Sequence, residues 1–199
     1  GSVNWASHIS ANDTATADGI IASPAENRLY AYGTFQDSVT IGTTVLQVTN
    51  GPSASGWLAR IRSNGTYDWA VKVPETFSGQ FGVFITDMAR DTNGNLALLG
   101  GFNSGVADFG NGVTLTNGGT GEAFIVKYSN NGRAVWAKRL AGVSTTIQLV
   151  AGGRLKIHSD NNIYAAIPHL TSTLGPSAGG VDVSLVRFDD QGNQQWSRR

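Results

Sequence analysis

The 199-residue sequence contains no cysteine, which excludes disulfides, thiolate zinc sites and cysteine nucleophiles. Charged residues make up only 14% of the chain, whereas an average soluble protein has roughly 25%. The 14 basic and 14 acidic residues cancel, so there is no basic excess to attract a nucleic-acid backbone or an anionic membrane surface. No run of about 18 apolar residues is present. We therefore expect neither a nucleic-acid partner nor membrane insertion.

Recognisable catalytic motifs are also lacking. The sequence has no Gly-x-Ser-x-Gly motif, no P-loop and no dinucleotide fingerprint. Its three histidines, His8, His158 and His169, do not stand at a spacing typical of metal ligands. The segment 91–95 alternates oxygen-bearing side chains like the start of a calcium loop, but no EF-hand glutamate follows, so a hairpin turn explains it better and calcium binding is left open. We expect no catalytic residue, metal or cofactor.

Glycine, by contrast, is abundant, with 26 residues, and it marks an internal repeat. Three glycines are each followed four residues later by tryptophan and preceded five residues earlier by a basic residue. The sets are Gly65, Trp69 and Arg60; Gly132, Trp136 and Lys127; and Gly192, Trp196 and Arg187. Trp5 precedes Trp69 by 64 residues (69 − 5) and keeps the same period. This agreement favours sequence duplication.

A second hairpin recurs inside each repeat. Leu29, Leu96 and Ile163 follow its turn and are separated by 67 residues each (96 − 29 and 163 − 96). The pattern predicts four strands per repeat, with short turns after the first and third strands and a long excursion between the second and third. No segment has helical spacing of its apolar residues. We predict an all-β chain with one propeller-like domain at 1–199 and repeats at about 5–69, 70–136 and 137–199.

These motifs resemble the SBBP-type beta-propeller repeats of secreted and surface bacterial proteins. The resemblance is carried by the segments 91–102, 107–110 and 123–128 and by Asn131-Gly132 leading to Trp136-Ala137. It covers about 190 residues and is best in the second repeat, whereas the third has Ile167-Pro168-His169 in place of the Gly and Phe. The resemblance implies a propeller in an exported, extracellular or cell-surface protein. The motifs describe blade geometry and not chemistry.

The number of repeats predicts an incomplete ring. A leading strand at Trp5 to Ile9 and three four-stranded repeats give 13 strands, whereas propellers close with about four to eight blades. Blades at the ends of such an arc would expose apolar faces. We therefore expect self-association into a closed ring, or packing against neighbouring blades of a longer chain.

The excursions and the loops between repeats are predicted to meet at one end of the sheets. The loop 74–83 carries two phenylalanines beside a carboxylate, which suits contact with a sugar or an apolar ligand. The recurring cations are expected to pair with the acids Glu122 and Asp182. The predicted ligand-binding residues come from the loop and from the ends of the later excursions: Glu75, Phe77, Phe81, Asn103, Glu122 and His169.

Three functions remain open at this point. The first is a noncatalytic binding or adhesion module of an exported or cell-surface bacterial protein, with a glycan, polymer or protein as its ligand. The second is a structural or assembly module that forms a ring or a fibre tip. The third is a carbohydrate-active hydrolase or lyase that uses acids such as Asp37, Glu75 or Glu122, which would need two carboxylates about 5 to 9.5 Å apart.

Overall fold

The described residues of the chain are almost entirely β-structure. A computed structural model describes residues 2–49, 54–76, 83–103, 105–118, 121–144, 152–169 and 180–198. Apart from one short 3-10 turn at Pro24–Glu26, the regular elements there are antiparallel strands. The prediction of an all-β chain is confirmed.

The strands, in chain order, are β1 (Ile9–Ala11), β2 (Gly19–Ser23), β3 (Arg28–Gln36), β4 (Ser38–Ile41), β5 (Thr44–Gln47), β6 (Ala54–Arg62), β7 (Tyr67–Thr76), β8 (Val83–Arg90), β9 (Leu96–Phe102), β10 (Val106–Asp108), β11 (Thr114–Thr116), β12 (Glu122–Tyr128), β13 (Ala134–Ser144), β14 (Arg154–Ile157), β15 (Ile163–His169), β16 (Asp182–Phe188) and β17 (Gln194–Arg198).

Twelve of these strands form three four-stranded meanders, which we call the first, second and third units. The first unit has the order β2-β3-β6-β7, the second β8-β9-β12-β13 and the third β14-β15-β16-β17. Each pairing is antiparallel and joins strands that follow one another within the unit. This is the topology of propeller-like blades.

The first two excursions differ from expectation because each contains a β-hairpin. The hairpin β4–β5 pairs with β1, and the hairpin β10–β11 pairs with β7. The described residues therefore hold more strands than the 13 predicted. Alternation in Val39-Thr40-Ile41, followed by Gly42 at φ 62°, is a local hairpin pattern that the prediction treated as loop. The leading strand also lies later than expected, at Ile9–Ala11.

Alternating residues of each strand pack against opposite neighbours. In β9, Leu96 and Leu98 belong to the cluster shared with the first unit, whereas Ala97 and Leu99 belong to the cluster shared with the third. A further cluster lies on the other side of the first unit, where β4–β5 covers Trp57. The apolar cores thus lie between successive sheets, as the period of two along a strand requires.

A tryptophan contact repeats from unit to unit. The indole Nε1 of Trp69 donates to the carbonyl oxygen of Asn130 at 3.2 Å, and that of Trp136 donates to Asp190 O at 3.0 Å. Each acceptor lies two residues before a turn glycine, Gly132 or Gly192. We call such a turn, between the third and fourth strands of a unit, an indole-binding turn.

The turn glycines are needed for two reasons. Gly132 and Gly192 both have φ 80°, a conformation that L-residues with a side chain rarely adopt. A Cβ on Gly132 would lie 3.0 Å from the Trp69 ring, and one on Gly192 would lie 2.9 Å from the Trp136 ring. The repeated Gly-to-Trp spacing therefore reports contacts between successive units.

The predicted pairing of Lys127 with Glu122 is wrong. Lys127 instead pairs with Asp91 at 2.9 Å and with Asp190. Glu122 and Lys127 are five residues apart on one strand, so their side chains point to opposite faces. The same odd spacing separates Asp182 from Arg187.

Candidate functional site

Four of the predicted ligand-binding residues lie at one end of the sheets. In the strand registers, Glu75 is opposite Ser55, Glu122 is opposite Phe102, and His169 is opposite Asp182. Asn103 directly follows β9 and is half-buried. The described strand ends that lead into the excursions and inter-unit loops therefore lie at this same end, as the topology predicts.

Glu122 is held inside the protein. Its residue exposure is 6%, and its carboxylate lies 3.3 Å from Arg139 Nη1. The backbone N–H of Gly118 donates to Glu122 Oε2 at 3.2 Å. These contacts tie the excursion to β13, and they give Glu122 a structural role whether or not it contacts a ligand.

His169 is fully buried, and its Nε2 forms a 2.8 Å hydrogen bond with Ser184 Oγ. In the second unit the corresponding positions are Phe102 and Phe124, whose ring centroids are 6.1 Å apart. An aromatic pair has thus been replaced by a polar pair that is joined by a hydrogen bond between His169 Nε2 and Ser184 Oγ, as is usual for buried polar side chains. This position favours packing over direct ligand contact, and ligand binding by His169 stays a prediction.

The two loop phenylalanines, Phe77 and Phe81, lie outside the described residues. Glu75 belongs to β7, where it lies in register with Asp108 of the β10–β11 hairpin. Ligand binding by these three residues therefore also stays a prediction.

The structure shows a groove that the sequence analysis missed. It lies between the two excursion hairpins, along β7, and has a volume of about 890 Å³. Its floor is apolar and its rim is polar. The lining consists of Leu46, Thr49, Ala70, Val71, Lys72, Asp108, Phe109, Gly110, Asn111, Gly132, Arg133 and Ala134. A groove of this size lies within the usual range for ligand sites, about 300 to 1,000 Å³.

The rim of the groove is held by local hydrogen bonds. Lys72 Nζ donates to Gln47 O at 2.9 Å, and Arg133 Nη2 donates to Asn111 Oδ1 at 3.1 Å. The Gly110 N–H donates to Asp108 Oδ1 at 2.8 Å. Asp108, Asn111 and Arg133 are exposed, and Asn111 Nδ2 also donates to Ala134 O at 2.9 Å. The excursions were predicted to be loops, so no pattern in the sequence indicated that these residues would lie close together.

The Asp91 turn is occupied by protein donors. Its carboxylate accepts hydrogen bonds from the N–H groups of Asn93 and Asn95, at 2.9 and 2.8 Å, in addition to the Lys127 ion pair. Burial alone raises the pKa of Asp91, but the hydrogen bonds from Lys127 and Asn95 outweigh it and lower that pKa. These oxygens therefore serve the turn and the ion pair with Lys127 of the same unit, as a hairpin interpretation predicts.

In the described part of the chain, no three His, Asp or Glu side chains lie together in a way that could hold a metal ion. No helix there is long and apolar enough to cross a membrane.

Comparison with known proteins gives one informative similarity. The chain is similar to an uncharacterized WD repeat-containing protein of Acanthamoeba polyphaga mimivirus, at 27% identity over 174 residues. The match covers 71% of this chain but 12% of that relative, so the chain spans about an eighth of its length. No family model matches the chain. Together with the meandering sheets, the similarity supports a repeat fold of propeller-like blades. The finer resemblance to bacterial SBBP-type repeats stays a prediction.

Proposed function

We propose that the chain is a noncatalytic binding module whose macromolecular ligand lies in the groove between the two hairpins. The observation that carries this proposal is the combination of an apolar floor with an exposed polar rim in a groove of about 890 Å³. Such a surface suits an extended chain that offers both apolar faces and hydrogen-bonding groups, as a glycan, another polymer or a polypeptide does.

Two independent considerations support a binding role over a catalytic one. The similarity to a WD repeat-containing protein favours a repeat module that contacts other macromolecules. Among the three acids considered for hydrolysis, Glu122 is in an ion pair with Arg139, which disfavours its use as a general acid. An exported or cell-surface location remains part of the proposal and is supported by the SBBP resemblance alone.

The groove is tested by charge reversal on its rim. We expect saturable binding on a glycan array or on a peptide array, and Arg133→Glu should weaken the hits by about tenfold or more, the effect of losing about 1.4 kcal/mol. Arg198→Glu, which reverses another exposed arginine outside the groove, is the matched control. Equal binding by both variants would contradict the groove assignment, and the type of array that gives hits identifies the ligand class.

The loop 74–83 is tested separately. If this loop also contacts the ligand, Phe77→Ala and Phe81→Ala should weaken binding while leaving the thermal midpoint nearly unchanged. Phe124→Ala is the contrasting variant, because Phe124 is fully buried and its loss should cost about 3 to 5 kcal/mol of stability. A loss of stability in Phe77→Ala as large as in Phe124→Ala would show that this phenylalanine belongs to the core.

A second candidate function, assembly, is favoured by a different observation. Three of the exposed large hydrophobic residues, Val181, Val183 and Leu185, lie within five positions of the chain on or next to β16.

A further inference from the structure

The third unit has one face that the described residues leave largely uncovered. Val183 is 49% exposed and Leu185 is 50% exposed, whereas their counterparts in the second unit, Ala123 and Ile125, are fully buried against the third unit. We define the uncovered face by the residues Tyr164, Val183, Leu185, Arg187 and Trp196. An adjoining apolar depression of about 290 Å³ is lined by Tyr164, Ala166, Leu185 and Trp196, among others.

The side chains of this face are arranged like those of the first unit's face that packs against the second unit. The rings of Tyr164 and Trp196 are 6.1 Å apart at 61°, and the Arg187 guanidinium lies 5.7 Å from the Tyr164 ring centre.

The first unit repeats these values where it packs against the second. There Tyr30 and Trp69 are 6.3 Å apart at 53°, and Arg60 lies 5.8 Å from the Tyr30 ring centre.

The contact between the first and second units shows what such a face binds. Trp69 Nε1 and Arg60 Nη1 both donate to the same carbonyl oxygen, that of Asn130, at 3.2 and 3.1 Å. The Trp69 ring lies on Gly132 of the same turn. The uncovered face therefore fits an indole-binding turn.

The described residues contain one indole-binding turn that a unit does not already cover. Gly132 and Gly192 are buried under Trp69 and Trp136. Gly65 is only half-buried, and the indole on its turn comes from Trp5, which lies outside any strand and is 38% exposed. Trp5 Nε1 donates to Ser63 O at 2.6 Å.

We propose that two copies of this chain associate head to tail, with Trp196 of each copy replacing Trp5 on the Gly65 turn of the other. Arg187 and Trp196 would then both donate to the Ser63 carbonyl oxygen, as Arg60 and Trp69 both donate to that of Asn130. A head-to-tail contact forms a ring when the rotation closes. Two copies of three units make six, which lies within the four to eight blades of known propellers, whereas three copies would exceed this range.

The proposal is independent of the groove ligand, and it is tested by the mass of the full chain in sedimentation experiments. The expected result is a concentration-dependent equilibrium between a 20.9 kDa monomer and a dimer of twice that mass. A monomer at all concentrations would overturn the proposal and would leave a further blade of a longer chain as the occupant. Open assemblies larger than the dimer would also overturn it.

Matched variants locate the interface. Val183→Glu should raise the dimer dissociation constant by about tenfold or more, because the new carboxylate enters both contacts of the ring. Val135→Glu is the control, since Val135 is similarly exposed, at 53%, but lies on β13. Equal effects of these variants would overturn the assignment. Circular dichroism and urea unfolding establish that both variants remain folded.

Trp5 provides the most specific test, because it is expected to compete with the partner copy. Trp5→Ala should lower the dissociation constant, by about tenfold if the displaced contact is worth one typical interface hot spot, whereas Trp196→Ala should raise it. A Trp5→Ala variant that dimerises more weakly than the unmodified chain would overturn the displacement.

Discussion

The second and third units present the same type of face to whatever follows them, but only the face of the second unit is covered within the described chain. In the second unit Trp136 lies on Gly192, and Lys127 reaches Asp190 across the junction. In the third unit the corresponding residues are Trp196 and Arg187, both half-buried. The sequence of each unit thus carries the contact residues for a neighbour whether or not a neighbour is present.

The same residue type contributes differently to the stability of the fold in these two units. A cation or tryptophan at the junction stabilises the folded chain when its partner is in place. On the uncovered face, ordering the same side chain lowers its hydration and its conformational freedom, and no contact with a partner offsets this loss. Substitutions at equivalent positions should therefore differ between the second and third units.

The largest difference is expected at the repeated cation. Lys127 is 4% exposed and its partner Asp91 is fully buried, so Lys127→Met leaves a buried carboxylate without its counter-charge. Breaking a buried pair in this way typically costs about 3 to 5 kcal/mol. Arg187→Met, on the half-buried side chain of the third unit, should cost about 1 kcal/mol or less. Urea unfolding measures both, and equal losses would refute the distinction between the two faces.

The next difference concerns the tryptophans. Trp136→Ala removes a ring packed on Gly192 and its hydrogen bond to Asp190, and we expect a loss of about 3 kcal/mol in the free energy of unfolding. Trp196→Ala should cost about 1 kcal/mol, because no indole-binding turn among the described residues packs against its ring. The comparison requires protein concentrations at which sedimentation shows a monomer. A larger loss for Trp196→Ala would mean that the third-unit face is already packed.

A smaller difference separates two glycines that share a backbone conformation. Gly192 and Gly110 have φ values of 80° and 84°, so alanine at either position costs about 1 to 2 kcal/mol of backbone strain. At Gly192 the new Cβ would also lie 2.9 Å from Trp136, whereas at Gly110 it meets nothing within 4 Å. Thermal unfolding should show Gly192→Ala as the less stable variant. Identical midpoints would argue against close contact between the ring and the turn.

The smallest expected effect is the acid dependence of stability. The pKa of Asp91 is lowered in the folded chain from its ordinary value of 3.8, so the folded state holds the proton less tightly than the unfolded state does. The stability from Asp91 is therefore present above about pH 4 and is lost as the pH falls through the folded-state pKa. In Lys127→Met, burial without the counter-charge should instead raise this pKa above its unfolded value, so the contribution of Asp91 should change sign and favour the folded state as the pH falls. Unfolding free energies measured from pH 2 to 7 check the shift, and superimposable profiles would contradict it.

Much of the fold could be predicted from the sequence because local patterns encode it. The Gly-to-Trp spacing and the positions of Leu29, Leu96 and Ile163 mark four-stranded units, since turns need particular glycines and strands alternate by two. The hairpins inside the excursions were missed because alternation in such short segments was outweighed by their glycine and polar residues. Glu122 does pair with a cation, as predicted, but the cation is Arg139 and not Lys127. The five-residue spacing between Glu122 and Lys127 already excluded that pairing.

The candidate site was harder to predict because it depends on distant segments. The groove needs the hairpin β10–β11 to lie beside β7, which no single-sequence pattern specifies. The burial of His169 depends on Ser184, 15 residues later, which stands where the second unit has Phe124. Only the three-dimensional register brings such pairs together, so residue identity alone could not separate a packed histidine from a ligand-binding one.

The claim that tryptophan and turn glycine join successive units is tested most directly by a double-mutant cycle of Trp136→Ala and Gly192→Ala. Contacting residues typically show coupling of about 0.5 to 3 kcal/mol. Because removing the indole also removes the clash with the added methyl group, the double variant should be more stable than the sum of the single losses predicts, by about 1 kcal/mol. Strict additivity in urea unfolding would contradict the account.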